Sequence, residues 1–539
     1  MELNLNANHE SKRFSLLYIF LLCFMLLVHI KLHTYAFDDA FIHFRVAQNL
    51  VETKSPYYNP GEITKVSTSS AWTVFLAGVF ALAKLTKTTD SFPLLVGIIN
   101  ALISFAGLCV YTKILESLLR ERFSNPKKLL FQIPCIAMML PASIGLMETP
   151  LALLIAGIGI YLLINSHPSG FAMISLAAYI RVEMIILALL SFIFAIIRKQ
   201  YSLKQIATHA IITVIPLIVY DLQYFKTLVP HSVIAKSVVY SLSTFDTVLR
   251  IAVGSMPSII KGGQPVLWVI TTITFFATII LAMQGAFTLR EKANSAGDWP
   301  LLLTLMSFGV IAFYIIGHAL SFTWYKPLYM LPFFLACFLY SHLPDCGHKN
   351  ILSKATLSAF FLISTISTLQ IAYASICDPS AFSLFMGGLR VKTYLATGKI
   401  LNDEYPTATL LTSEIGGLGY SFRGRIFDAA GLASSDALAF HPMKVPQERA
   451  NGMTGAIPPG YVRHKNPDII VSYDNYSRAL LADNVVKQYN VIVLPAYLLE
   501  YHQYSETKTV WNSKHLRVFV HKRLPVSEKL LALGRMNTE

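Results

Sequence analysis

Two adjacent aspartates, Asp38 and Asp39, stand near the start of the segment FDDAFIHFRVAQNLVE at residues 37–52, and Arg45 follows seven residues after the first of them. Within the segment Phe41, Phe44, Ala47, Leu50 and Val51 recur at spacings of three and four, which predicts an amphipathic helix along a membrane surface with both carboxylates at its N-terminus. Capping and the helix dipole account for one aspartate there. Two exceed what a cap requires. A carboxylate at such a surface can take the proton of an acceptor hydroxyl as general base. The pair can instead hold a divalent cation, for which two carboxylates are too few by themselves. Arg45 lies two turns beyond Asp38, on nearly the same face. Its fork suits a phosphate, and its plainer use is to snorkel among lipid headgroups.

Further ionisable residues recur beside apolar runs. Glu148 precedes Thr149 and Pro150, where proline favours the first turn of a helix and the carboxylate can serve as a cap. Arg181 and Glu183 are two apart, so on one helix they do not face each other, and the spacing predicts a break between spans. His231 and Lys236 lie in LVPHSVIAKSVVY, where either alone is more often solvated than functional.

The elements that must position these residues follow from composition. Of 539 residues, 54% are hydrophobic and 14% charged, with a mean hydropathy of +0.53, which excludes a soluble globular protein of this size. The formal charge is +14. Lys and Arg fall in short clusters between apolar runs rather than in one stripe, so the charge signals topology and not nucleic acid. Cys23, Cys109, Cys135 and Cys337 lie in apolar segments and no CxxC occurs, so neither a disulfide framework nor a zinc site is indicated.

The run from Phe14 to Ile30, preceded by Lys12 and Arg13, is too long for a signal peptide and lacks a small-residue cleavage site, so a retained first helix is expected. Further runs at 92–111, 129–147, 149–165, 170–181, 183–197, 206–221, 265–287, 299–320, 327–342 and 354–375 make about eleven spans. The stretch 72–85 is short and is expected to lie beside the membrane. With Lys12 and Arg13 cytoplasmic, the clusters at Lys113 to Lys128, Arg198/Lys199/Lys204, Arg290/Lys292 and Lys349/Lys354 all fall inside. The expected fold is therefore a polytopic α-helical membrane domain over residues 1–375, with an extracytoplasmic α/β domain over 376–539. β-rich runs at 409–411, 468–471, 491–494 and 516–520 mark the latter. Long, uneven outer loops at 34–71 and 222–264 argue against inverted transporter repeats. On this topology Asp38, Asp39, His43, Arg45, Glu148, Arg181, Glu183, Asp221, Lys226, His231, Lys236, Tyr325 and Lys326 collect on the outer face.

Several ordered segments then resemble the GT-C superfamily of integral-membrane glycosyltransferases, most closely the branch of terminal cell-wall arabinofuranosyltransferases. The likeness begins in FDDAFIHFRVAQNLVE and continues through YYNPGE at 57–62, STSSAW at 67–72, GLMETPL at 145–151 and YIRVEM at 179–184. It extends to LVPHSVIAKS at 228–237, SEIGGLGY with DAAGL between 413 and 432, and NPDIIV at 466–471. Val182 and Met184 replace the family's Pro and Gly, and His231 stands for a usual Asn. The resemblance implies a transferase of the inner membrane that moves a sugar from a polyprenyl-phosphate carrier to an envelope glycan or glycolipid on the outer face. It implies catalytic Asp38 and Asp39, Asp38 foremost. Arg45, Arg181 and Lys236 become candidates for the carrier phosphate, and Glu148, Glu183 and His231 for sugar or acceptor hydroxyls. No cofactor is implied, apart from the divalent cation left open above.

Independent physics agrees. Nucleotide sugars are cytoplasmic, so an outward site without a nucleotide motif needs a donor delivered by the membrane, and Arg and Lys can stabilise the departing phosphate there. The rival class is a transporter or flippase for an envelope lipid, which requires ionisable residues at mid-span. A noncatalytic assembly protein is the second rival, and it would tolerate Asn at 38 and 39.

Overall fold

The computed structural model describes residues 2–239, 242–254, 265–292, 298–342, 347–377, 383–441, 456–497 and 513–537. The side chains of Lys12, Arg13, Arg290, Lys292 and Lys349 lie outside the described set. Fifteen helices precede the C-terminal sheet region: α1 (Glu2–Leu32), α2 (Asp38–Thr53), α3 (Ser70–Leu85), α4 (Phe92–Leu119), α5 (Asn125–Ile144), α6 (Thr149–Ile164), α7 (Gly170–Ile180), α8 (Ile185–Ile197), α9 (Leu203–Phe225), α10 (His231–Val239), α11 (Thr244–Gly254), α12 (Pro265–Lys292), α13 (Asp298–Ile316), α14 (Pro327–Ser341) and α15 (Gly347–Ile376).

Among the described residues seven of these are long and apolar enough to cross a membrane: α1, α4, α5, α9, α12, α13 and α15. They coincide with seven of the eleven expected runs. The other four expected runs form shorter helices of 16, 11, 13 and 15 residues, α6, α7, α8 and α14. At the α6–α7 crossing a Cβ on Gly159 would come within 2.9 Å of the Gly170 carbonyl oxygen, the close backbone approach that small residues permit between membrane helices. α14 is buried along its whole length, as a helix hydrophobic all round must be.

The first loop departs from the surface helix that its apolar spacing suggested. α2 spans the expected residues, but nearly every side chain from Ala40 to Asn49 is buried, His43, Arg45, Gln48 and Asn49 included. Its polar side faces protein rather than water, because the C-terminal region covers it. The 222–264 stretch, expected as a loop, contains α10 and α11.

The C-terminal region begins with α16 (Ser383–Glu404) and builds a six-stranded sheet from β1 (Leu410–Thr412), β2 (Ile426–Asp428), β3 (Ile469–Tyr473), β4 (Tyr489–Pro495), β5 (His515–His521) and β6 (Arg535–Asn537). The strand order is β2-β1-β3-β5-β4-β6. β1 pairs in parallel with β2 and β3, and the β3–β5, β4–β5 and β4–β6 pairs are antiparallel. Four strands overlap the predicted runs, whereas β2 and β6 have no counterpart among them. Alternation splits β3 between two cores: Ile469 and Val471 join the apolar core continuous with the helical bundle, while Ile470 packs with Leu411, Phe519 and Tyr461 on the other face. α17 (Gly417–Ser421) follows β1 and lies against α2.

Candidate active site

Side chains from five separate elements meet at one end of the bundle, around His43 of α2. Its Nε2 lies 3.8 Å from Glu148 Oε2, its Nδ1 is 3.0 Å from Ser67 Oγ, and Asp39, Arg181 and Lys236 are near enough to act on its charge. Burial pushes the imidazole below its usual range, with Glu148 pulling it back up. It therefore stands as a neutral ring among charges.

Glu148 occupies the N-cap position of α6 but makes no side-chain cap bond. The helix start is secured instead by Pro150 in the first turn, which leaves the carboxylate to pair with Arg181. It is fully buried, and its Oε2 has no hydrogen-bond partner among the described residues. A buried acceptor left in that state costs free energy that a hydroxyl donor would recover.

Arg181 and Glu183 sit where the sequence predicts a break. Arg181 is extended (φ −138°, ψ 121°), and a single 3₁₀ turn, Val182–Met184, leads into α8. Extending the chain there lets two residues that would diverge on a helix turn the same way. Arg181 Nε donates to Glu183 Oε2 at 3.0 Å, and the other two nitrogens reach Glu183 Oε1 and Glu148 Oε1. Tyr314 OH donates to Glu183 Oε1 at 2.6 Å, and Tyr325 covers the guanidinium face at 4.4 Å. One arginine thus pairs with two buried carboxylates, which without it would both lack their partner cation.

Asp39 and Lys236 form the open side. Lys236 Nζ is 3.2 Å from Asp39 Oδ2, with the side chains 23% and 28% exposed, and the ammonium also lies 5.2 Å from the Phe322 ring centre. His231, at the start of α10, donates its backbone N–H to the Lys65 carbonyl, while its buried Nε2 has no partner among the described residues.

Two expected site residues lie elsewhere. Arg45 is 2% exposed, and its guanidinium donates to the carbonyls of Tyr58, Gly419, Phe422 and Gly424 with the Tyr58 ring at 4.5 Å. With its donors on backbone oxygens it is a structural clamp, so the expectation of a phosphate contact is corrected. Asp38 is buried and accepts from Gly416 N and Gly417 N, both at 2.9 Å. Burial raises its carboxyl, and Arg390 with those two amides pulls it down.

A groove of about 500 Å³ lies between α7, α8 and α9, lined by Tyr179, Val182, Leu189, Ile211 and Ile215 among others. Val182, the residue after Arg181, belongs to its lining. It is apolar except at one end, where Lys65 Nζ reaches Asp221 Oδ2 at 2.6 Å and the Leu228 carbonyl at 2.9 Å. Ser70 and Tyr179 donate to the same aspartate. Sequence reasoning missed Lys65; it stands four residues after Gly61 in a run without helical or strand periodicity. Lys326, beside Tyr325, has no side-chain partner among the described residues, and burial pushes it down to about 8. Among the described residues no group of three or more His, Cys, Asp or Glu is placed to hold a metal ion.

A family described as a domain of unknown function, DUF8728, matches residues 387–519, within the C-terminal region. No curated protein matches the chain. Among solved structures the chain is similar to the crystal structure of ArnT from Cupriavidus metallidurans bound to undecaprenyl phosphate, with a TM-score of 0.54 and 9% identity over 96% of this chain and 100% of that one. At that identity the likeness establishes the fold alone: this chain is a membrane protein with the fold of that structure.

Proposed function

We propose that the protein is a glycosyltransferase that moves a sugar from a polyprenyl-phosphate donor to a hydroxyl of an envelope glycan or glycolipid. The observation that carries this reading is the apolar groove that ends at the buried Lys65–Asp221 pair. A chain of apolar atoms fits its walls, a phosphate fits the Lys65 ammonium at its end, and a sugar hydroxyl would satisfy Glu148 Oε2. The cations for the phosphate are Lys65, Lys236 and Lys326; Arg181 is reassigned to holding Glu148 and Glu183, since its fork already spans both.

The acceptor oxygen attacks the anomeric carbon, its proton passes to a first-loop carboxylate, and the bond from that carbon to the phosphate oxygen breaks. Polyprenyl phosphate leaves with the electron pair, its charge met by lysines in a site largely shielded from water. The protein lies in the inner membrane, with the N-terminus cytoplasmic and the C-terminal region outside. The sequence resemblance to arabinofuranosyltransferases makes a pentose the first donor to try. The test is transfer by the purified protein in nanodiscs, with synthetic polyprenyl-phosphate pentoses and hexoses and short envelope glycans. A product one sugar heavier supports the reading; no transfer from any donor overturns it.

A further inference from the structure

The two first-loop aspartates are neighbours in sequence and strangers in environment. Asp38 spends both oxygens on backbone N–H groups of Gly416 and Gly417 and is 9% exposed. Asp39, about 100° further round α2, turns toward Lys236 and the half-open side of the site. We infer that the pair divides its work: Asp38 pins the C-terminal region to α2, and Asp39, aimed by that pin, is the carboxylate that meets the acceptor hydroxyl.

The pin belongs to a seat built from backbone groups. Tyr58 OH donates to the Ile415 carbonyl, Asn59 exchanges two hydrogen bonds with the Ile426 backbone, and Arg45 takes three carbonyls between Gly419 and Gly424. The SEIGGLGY segment fits only because it is glycine-rich: a Cβ on Gly416 would overlap Asp38, and one on Gly419 would overlap the Tyr58 hydroxyl. A helix held at Asp38 and Arg45 cannot turn about its axis, and its rotation decides where Asp39 and His43, one turn apart, point. The C-terminal region therefore acts on the chemistry through Asp38, a positioning residue, without touching substrate itself. In the step, the hydroxyl proton moves to Asp39, oxygen bonds to the anomeric carbon, and the carbon–phosphate oxygen bond breaks to release polyprenyl phosphate.

The role of Asp39 rests on the proposed transfer; the pin does not. Amide hydrogen exchange over residues 413–422, measured on the full chain in nanodiscs together with sugar transfer, separates the two. Wild type must protect Gly416 and Gly417, and fast exchange there overturns the pin without any variant. Asp38→Asn and Gly416→Ala, which break the contact from opposite sides, are expected to speed that exchange about tenfold or more. They lower kcat while leaving the donor KM near wild type. Asp39→Asn leaves exchange unchanged and lowers transfer by at least about 100-fold. Wild-type protection in both pin variants overturns the pin; a wild-type rate in Asp39→Asn overturns the division of labour. If wild type itself transfers no sugar, the glycosyltransferase reading falls and the role given to Asp39 falls with it, while exchange still decides the pin.

Discussion

Lys65 Nζ lies 2.6 Å from Asp221 Oδ2, joining the first loop to the C-terminal end of α9 where the apolar groove ends. Asp221 is fully buried and Lys65 5% exposed. Removing one partner of such a pair costs about 3 to 5 kcal/mol, because the other charge stays buried and uncompensated. Lys65→Met alone is therefore expected to lower the melting temperature sharply, and Lys65→Met with Asp221→Leu to recover most of it. If Lys65 also meets the carrier phosphate, the recovered double variant stays inactive. Melting followed by tryptophan fluorescence, with transfer measured alongside, checks both; an active double variant removes Lys65 from the phosphate site.

The groove predicts a chain-length dependence. Ala188 on α8 lines it, and Ala188→Trp fills space there. Losing burial of four methylenes costs about 3 kcal/mol, or roughly two orders of magnitude in affinity. The KM for long polyprenyl donors should rise on that scale, while a donor with a short chain that never reaches Ala188 keeps its KM. Equal effects on both donors would show that the lipid runs elsewhere.

Arg181→Gln leaves Glu148 and Glu183 without their shared cation. Transfer is expected to fall by about 100-fold or more, in line with loss of a preorganised electrostatic group. Arg181→Lys should restore only part, since an ammonium cannot span both carboxylates as the fork does. Full rescue by lysine would show that charge alone suffices and that the forked geometry is dispensable.

Burial pushes the Asp428 carboxyl up to about 6, against the N–H groups of Ala433 and Ala430 that pull it down. An unfolded aspartate titrates near 4, so between about 4 and 6 the native state binds the extra proton. The stability from this group is then full below about pH 4 and lost as pH rises through about 6. Asp428→Asn removes that dependence. The stability difference, wild type minus variant, should fall by about 2 kcal/mol from pH 4 to pH 7. A flat difference across that range would show that Asp428 is ionised throughout.

The proposed orientation predicts labelling by a membrane-impermeant maleimide in a background without native cysteines. Cysteine at Lys487, exposed in the C-terminal region, should react in intact cells, and cysteine at Glu121, exposed between α4 and α5, only after permeabilisation. The reverse pattern would overturn an outward-facing site.

Most elements were legible in the sequence because they follow from local periodicity. The apolar runs, the amphipathic spacing of α2, the break at Arg181 and the β-rich apolar runs of β1, β3, β4 and β5 all depend on residues a few positions apart. The short strands β2 and β6 were not legible, since neither stands out as a β-rich apolar run, Ile-Phe-Asp and Arg-Met-Asn being too short and too polar. The burial of α2 was not legible either, because its cover comes from a segment more than 360 positions away.

What the sequence by itself determined is a membrane-embedded helical bundle, a C-terminal sheet region and a set of ionisable residues near the helix ends. The tertiary structure alone decided what each of those residues does. Asp38 and Asp39 have the same chemistry and adjacent numbers, yet one meets the amides of Gly416 and Gly417 and the other meets Lys236. Arg45 and Arg181 carry the same fork, yet one is consumed by backbone carbonyls and the other by Glu148 and Glu183. The physical reason is that nearly every residue carries a backbone N–H and every residue a C=O. No side-chain pattern marks which of them a distant aspartate or arginine will find; only the folded path of the chain selects it.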